Sequence, residues 1–214
     1  MERRNFLKVS GAVLAYAGFF SPSDILATSK QPLIGFKQVG ISTQDNVIAP
    51  EGYEATKLIS WGDPLFSKAR PFDENKIIDK AAIDNASLTF GDNTDGMAWF
   101  DLDKDRAILA VNNEYMNPEI MFNHQGKNMS LDDVRYEQNS IGVSIFEISK
   151  NKDGYYSVVL DSPYNRRITA NTEMEIQGPA RAHKLMKTKV DKSGTKVFGT
   201  INNCASGKTP WGTY

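Results

Sequence analysis

A chain of 214 residues is long enough for one medium domain or two small ones, with a buried core and room for an enzyme site. Its 25 Lys and Arg residues against 26 Asp and Glu leave a net charge of -1, so there is no basic field of the kind that holds nucleic acid or an anionic membrane. The single cysteine, Cys204, rules out an intramolecular disulfide, and stability must come from packing or bound metal.

The N-terminus carries Arg3-Arg4 followed by Phe6-Leu7-Lys8 and a mildly apolar run from Val9 to Phe20. This is the pattern of a twin-arginine signal peptide, here assigned to residues 1–30. The run is too short to span a bilayer, which needs about 20 apolar residues. Export to the periplasm or beyond by the twin-arginine translocase is therefore expected, without stable membrane insertion. That route carries folded proteins, which raises the prospect of a metal loaded before export.

Next, Tyr53 to Trp61 alternates well enough for a strand, ended by Gly62-Asp63-Pro64, and a short helical turn is expected around Lys76 to Ile83. Strand patterns then recur at Met97–Phe100, Arg106–Asn113, Ile141–Ile148, Tyr155–Leu160 and Lys196–Asn202. The linkers 101–105 and 150–154 read as turns between antiparallel neighbours, with Gly154 free to take positive φ. Tyr115 to Asp133, rich in Asn and Met, reads as a long exposed excursion with a short helix starting near Ser130. The expectation is an all-β body. Without an exact internal repeat, the local pattern suits a sandwich as well as a propeller. The chain finishes in a loop and what reads as the start of a strand, so it is expected to be truncated at the C-terminus.

Several residues could carry chemistry. Asp92, Asp95 and Glu114 are candidate oxygen ligands for a hard cation, since the run from Gly91 to Gly96 precedes one strand and Asn112-Asn113-Glu114 ends the next. The same Asp92, Asn93 and Asp95 could equally shape turns. Cys204 falls at an expected strand end, where a thiolate could bind a transition metal or a thiol could simply be inert. Neither His124 nor His183 lies in a motif that would make it the base for a nucleophilic cysteine. Arg166 with Arg167, and Arg181 near His183, could bind phosphate through their planar forks or serve as solvated or structural arginines. No Walker loop, His-Glu-x-x-His or Gly-x-Ser-x-Gly is present.

The twin arginine, Phe90 to Asp95, Val111 to Tyr115, Asp161 to Thr169, Gly178-Pro179-Ala180 and, most specifically, Gly199 to Ala205 leading to Thr209–Thr213 together resemble the PhoX-type alkaline phosphatases. The resemblance implies a β-propeller made of blades of antiparallel strands, of which residues 31–214 would be an N-terminal part. At about 40 to 50 residues per blade that part holds roughly three or four blades. It implies an exported hydrolase of small-molecule phosphate monoesters with iron and calcium in its cavity. Cys204 would be an iron ligand, Glu114 and Asp95 would line the metal cavity, and Arg166 and Arg181 would contact substrate; no catalytic residue is assigned. Where the family often has Asn-His-Glu, this chain has Asn112-Asn113-Glu114. The part supplied is expected to be inactive alone. The rival expectations are an exported calcium-dependent propeller lactonase or esterase, which has no use for Cys204, and a non-catalytic propeller that binds an envelope partner.

Overall fold

The computed structural model describes residues 35–214, so the expected signal at 1–30 lies outside the described residues. Two compact units divide at Thr56 and Lys57. In the first, Phe36 meets Tyr53 edge to face at 5.7 Å, and Lys37 pairs with Glu51 in an exposed bridge.

The second unit is organised by an antiparallel sheet: β1 (Thr94–Asp101), β2 (Arg106–Asn113), β3 (Gly142–Lys150), β4 (Tyr156–Val158) and β5 (Arg166–Ile168). The order is β1-β2-β3-β4, with β5 also paired to β3. A two-stranded ribbon, β6 (Glu173–Glu175) and β7 (Lys196–Phe198), follows. Three helices accompany the strands: α1 (Lys80–Ala86), α2 (Pro118–Met121) and α3 (Leu131–Ser140). The antiparallel β expectation is met in this coarse form, and no closed barrel or propeller ring is formed among the described residues.

The short hairpin linkers form as expected. Leu102 and Asp103 donate backbone N–H groups to the Arg106 carbonyl, and Asn151 shapes the β3–β4 turn with Gly154 at φ +92°. β3 is central and buried from Gly142 to Ile148, hence its near-continuous apolar run. On one face of the sheet Val111, Phe146 and Ile148 pack with Leu65 and Phe90; on the other Ala110, Val143 and Ile145 pack with Phe100 and Ile108.

Three local expectations need correction. Tyr53–Trp61 forms no strand, because its alternation finds no ladder partner, and only the bridge Pro64–Thr89 pairs nearby. Tyr115–Asp133 is not simply an exposed excursion: Met116, Met121 and Phe122 are buried in a cluster of their own with Trp61, Tyr136 and Ile141. The last expected strand stops at Phe198, since Gly199 and Asn202 both take positive φ, so Cys204 lies in a loop and not at a strand end. The helical turn near residue 80 does form, displaced towards its C-terminal side and capped by the Asp79 carboxylate accepting from Ala82 N–H.

α3 is fixed at both ends. Its N-terminus is a capping box: Asp133 N–H donates to Ser130 Oγ at 3.1 Å, and Ser130 N–H donates to Asp133 Oδ2 at 2.7 Å. His124 Nε2 stands 3.3 Å from the same oxygen. Burial pushes the Asp133 carboxyl up, but the Ser130 N–H and hydroxyl together with His124 outweigh it and hold the group below the usual carboxylate range.

At the C-terminus the last-turn carbonyls find tertiary donors. Ala170 N–H bonds Gln138 O, Asp92 N–H bonds Ser140 O, and Arg167 Nη2 bonds Asn139 O and Ile141 O at 3.1 and 3.2 Å. Arg167 Nη1 also reaches Asn113 Oδ1 and Ser144 Oγ. Burial pushes this guanidinium down to about 10, and the negative end of the helix dipole faces it in place of a carboxylate.

Arg167→Ala should destabilise the protein by about 2–4 kcal/mol in urea titrations, because it strips donors from two helix-end carbonyls and from Asn113 at once. Asp133→Asn should cost about 1 kcal/mol at neutral pH. Since the folded carboxyl lies below its unfolded value of about 3.9, the contribution is complete above that pH and is lost as pH falls through the folded value. Thermal melts of the two proteins should therefore converge in acid.

Candidate metal centre

The site begins with a misfit between β1 and β2. Thr94 pairs with Asn113 and Met97 with Val111, so Asp95 and Gly96 together oppose the single residue Asn112. This is a β-bulge, which re-aims a side chain and leaves a backbone N–H without a ladder partner. The Cys204 carbonyl takes up that N–H: Gly96 N–H donates to Cys204 O at 3.1 Å.

Further bonds lay residues 202–206 against the hairpin. Asn202 N–H donates to Glu114 O at 3.2 Å, and Glu114 N–H donates to Asn93 O at 2.9 Å. Ser206, Lys208 and Tyr214 donate from their side chains to the Met97, Trp99 and Gly96 carbonyls, covering the outer edge of β1. Gly96 makes the close approach possible, because a Cβ there would stand 2.5 Å from Ser206 N and 2.8 Å from Cys204 O.

This framework brings Asp95, Glu114 and Cys204 together, with one ligand atom of each within 4.8 Å of the others. The Cys204 thiol donates to Glu114 Oε1 at 2.8 Å. That hydrogen bond pushes the thiol above its ordinary value, with burial and the charges of Glu114 and Asp95 adding to the effect. Three acidic donors facing one another suit a cation, whose charge would oppose the rise of the thiol and favour the thiolate. The donor set is mixed: carboxylate oxygens suit hard cations, and a thiolate suits a transition metal. Beside Glu114 opens a groove of about 340 Å³ reaching Tyr115, Glu137 and Asn202.

The other candidates lie differently. Asp92 and Asn93 do the work of a turn: Asp92 Oδ1 accepts from Asn93 N–H, and Asn93 is left-handed at φ +42°. Arg166 is exposed, donates to Tyr164 O and lines the apolar sheet face with Ile108 and Ile145. Arg181 is exposed in a turn closed on Gly178 O. Among the described residues no hydrogen bond or ion pair joins either arginine to the three-residue cluster. His124 is engaged with Asp133 and Phe122, and His183 Nδ1 accepts from Leu185 N–H.

Sequence reasoning passed over Asn112, whose signal is its spacing from Glu114. In an extended chain residues two apart share a face. It also passed over the bulge, for which a glycine inside a strand pattern is the usual sign.

Gly96→Val should destabilise by about 1–3 kcal/mol, through overlap with the 204–206 loop, and should speed alkylation of Cys204. Urea titration and the alkylation rate would check both effects.

Residues 34–214 match the PhoX family of alkaline phosphatases. No curated protein sequence matches the chain. Among solved structures it is similar to Pseudomonas fluorescens PhoX in complex with vanadate, a transition state analogue, at 42% identity and a TM-score of 0.77. The alignment covers 84% of this chain and 31% of that one, so the chain spans about a third of that relative's length. Matched by the family over all of its described residues, the chain belongs to the PhoX alkaline phosphatases.

Proposed function

We propose that the protein is an exported, metal-dependent phosphatase that hydrolyses small-molecule phosphate monoesters. The observation that carries this reading is the convergence of Asp95, Glu114 and Cys204 in a chain of this family. Cys204 would hold iron, and Glu114 and Asp95 would line the cavity that holds iron and calcium. Metal bound there would supply positive charge against the phosphate oxygens and Lewis acidity in the transition state.

The chain's own residues do the rest. Cys204 must give up its proton to become a ligand, and Glu114 Oε1 already accepts the hydrogen bond along which that proton would leave. The groove beside Glu114 gives a small ester room to approach. Arg166 and Arg181, exposed and without carboxylate partners among the described residues, would be available to phosphate oxygens. The up-and-down order β1-β2-β3-β4 is that of one propeller blade, and we read it as such. Export by the twin-arginine route rests on Arg3-Arg4 and the apolar run behind them.

The test is hydrolysis of p-nitrophenyl phosphate at alkaline pH by the longest polypeptide the gene encodes, with and without calcium. Calcium-dependent turnover is expected, and Cys204→Ser should lower it by about 100-fold or more while removing bound iron. Retention of both iron and activity in that variant would overturn the assignment.

A further inference from the structure

Asn112 is 4% exposed, yet it carries a carboxamide where its β2 neighbours Ala110 and Val111 are apolar. Its Nδ2 donates to Cys204 O at 2.7 Å and reaches Ala205 O at 3.4 Å. The next residue, Asn113, is fully buried and engages Ser144 and Arg167, so the two amides serve different partners. Cys204 O thus accepts two donors, Gly96 N–H from the bulge and Asn112 Nδ2 from the strand opposite it. One donor lets a loop swing about a single bond. Two donors from different strands fix both the carbonyl and the peptide plane that precedes the thiol's neighbour Ala205.

We propose that Asn112 is a positioning residue of the metal centre: by clamping the Cys204–Ala205 peptide to β2 it holds the Cys204 thiol against Glu114, and so sets the affinity of the three-residue site for a transition metal. The proposal rests on the metal reading above and deepens it. It assigns no contact between Asn112 and the metal or the substrate. A ligand held by a rigid neighbour loses less freedom when it binds, and loss of such supporting partners typically weakens metal sites about 10- to 100-fold. A small buried amide suits the task, since its donors cannot be satisfied by water at that depth.

The test uses the 214-residue chain and cobalt(II) as the probe. Binding is followed by thiolate-to-metal charge-transfer absorption, which Cys204→Ser must abolish for the band to report this site. Asn112→Ala should weaken cobalt binding by about tenfold or more and speed reaction of the metal-free Cys204 with a disulfide reagent. Asn112→Leu, which keeps the buried volume and leaves Cys204 O its bond from Gly96, should do the same if the alanine variant fails to fold. Ser162→Ala is the comparison for simple destabilisation: it breaks a buried bond to Glu147, outside the site and its brace, and should lower Tm without moving the cobalt affinity. Unchanged cobalt affinity and unchanged thiol reactivity in a folded Asn112 variant would overturn the proposal. If the unaltered chain shows no cobalt–thiolate band, the metal reading fails, and thiol reactivity alone decides whether Asn112 holds the loop: faster reaction in the variant upholds the clamp, and an equal rate rejects it.

Discussion

The candidate metal centre depends on a single surplus residue in an antiparallel pair. Because Asp95 and Gly96 occupy the space opposite Asn112, the ladder between β1 and β2 is interrupted, and a backbone N–H is turned out of it. Buried or half-buried N–H groups must find an acceptor. Here the acceptor is the carbonyl of Cys204, more than a hundred residues along the chain. A break in regular structure thereby becomes the attachment point for a distant loop, and Asp95 is turned towards the thiol that the loop brings with it.

A second network braces this region from behind. The loop carrying Asp92 docks on the last carbonyl of α3, and Arg167 gathers two further helix-end carbonyls together with Asn113. Gly91 allows that docking, since a Cβ at this position would stand 2.4 Å from Ser140 O. The cation is buried without a carboxylate, which would be costly in isolation, but its four hydrogen bonds to neutral oxygens and the helix dipole offset much of that cost. Asn113 Nδ2 and Arg167 Nε have no hydrogen-bond partner among the described residues, so the network stabilises by position more than by complete hydrogen bonding. Through Asn113, one residue before Glu114, the brace reaches the end of β2 from which the cluster is built.

The two networks differ in electrostatic character. Around Arg167 a cation is surrounded by neutral oxygens, and it is content to stay charged. Around Cys204 three acidic groups converge, and the thiol is raised first by its hydrogen bond to Glu114, with burial and the charges of Glu114 and Asp95 adding to it. A fold tolerates such an arrangement when stiff backbone bonds enforce it, and the bonds to Glu114 O, Glu114 N–H and Cys204 O provide that stiffness. The same convergence of acidic groups would give a cation its purchase on the site.

Much of this was legible in the order of residues. Alternation and turn chemistry place β2, β3 and the hairpin turns, because strand faces and tight turns are local matters of side-chain period and allowed φ. The metal-site candidates Asp95, Glu114 and Cys204 are also legible from the spaced segments shared with the PhoX family. What the residues could not settle locally was pairing. Tyr53–Trp61 alternates like a strand yet has no ladder partner, while Met116, Met121 and Phe122 look exposed in sequence and are buried in the folded unit. Arg166 and Arg167 are indistinguishable as a dipeptide, but only the second turns inward to the end of α3. The sequence by itself determined which residues could form strands, turns and ligands; tertiary structure decided which of them meet, because a contact across ninety residues depends on the register of a sheet and the placement of one bulge.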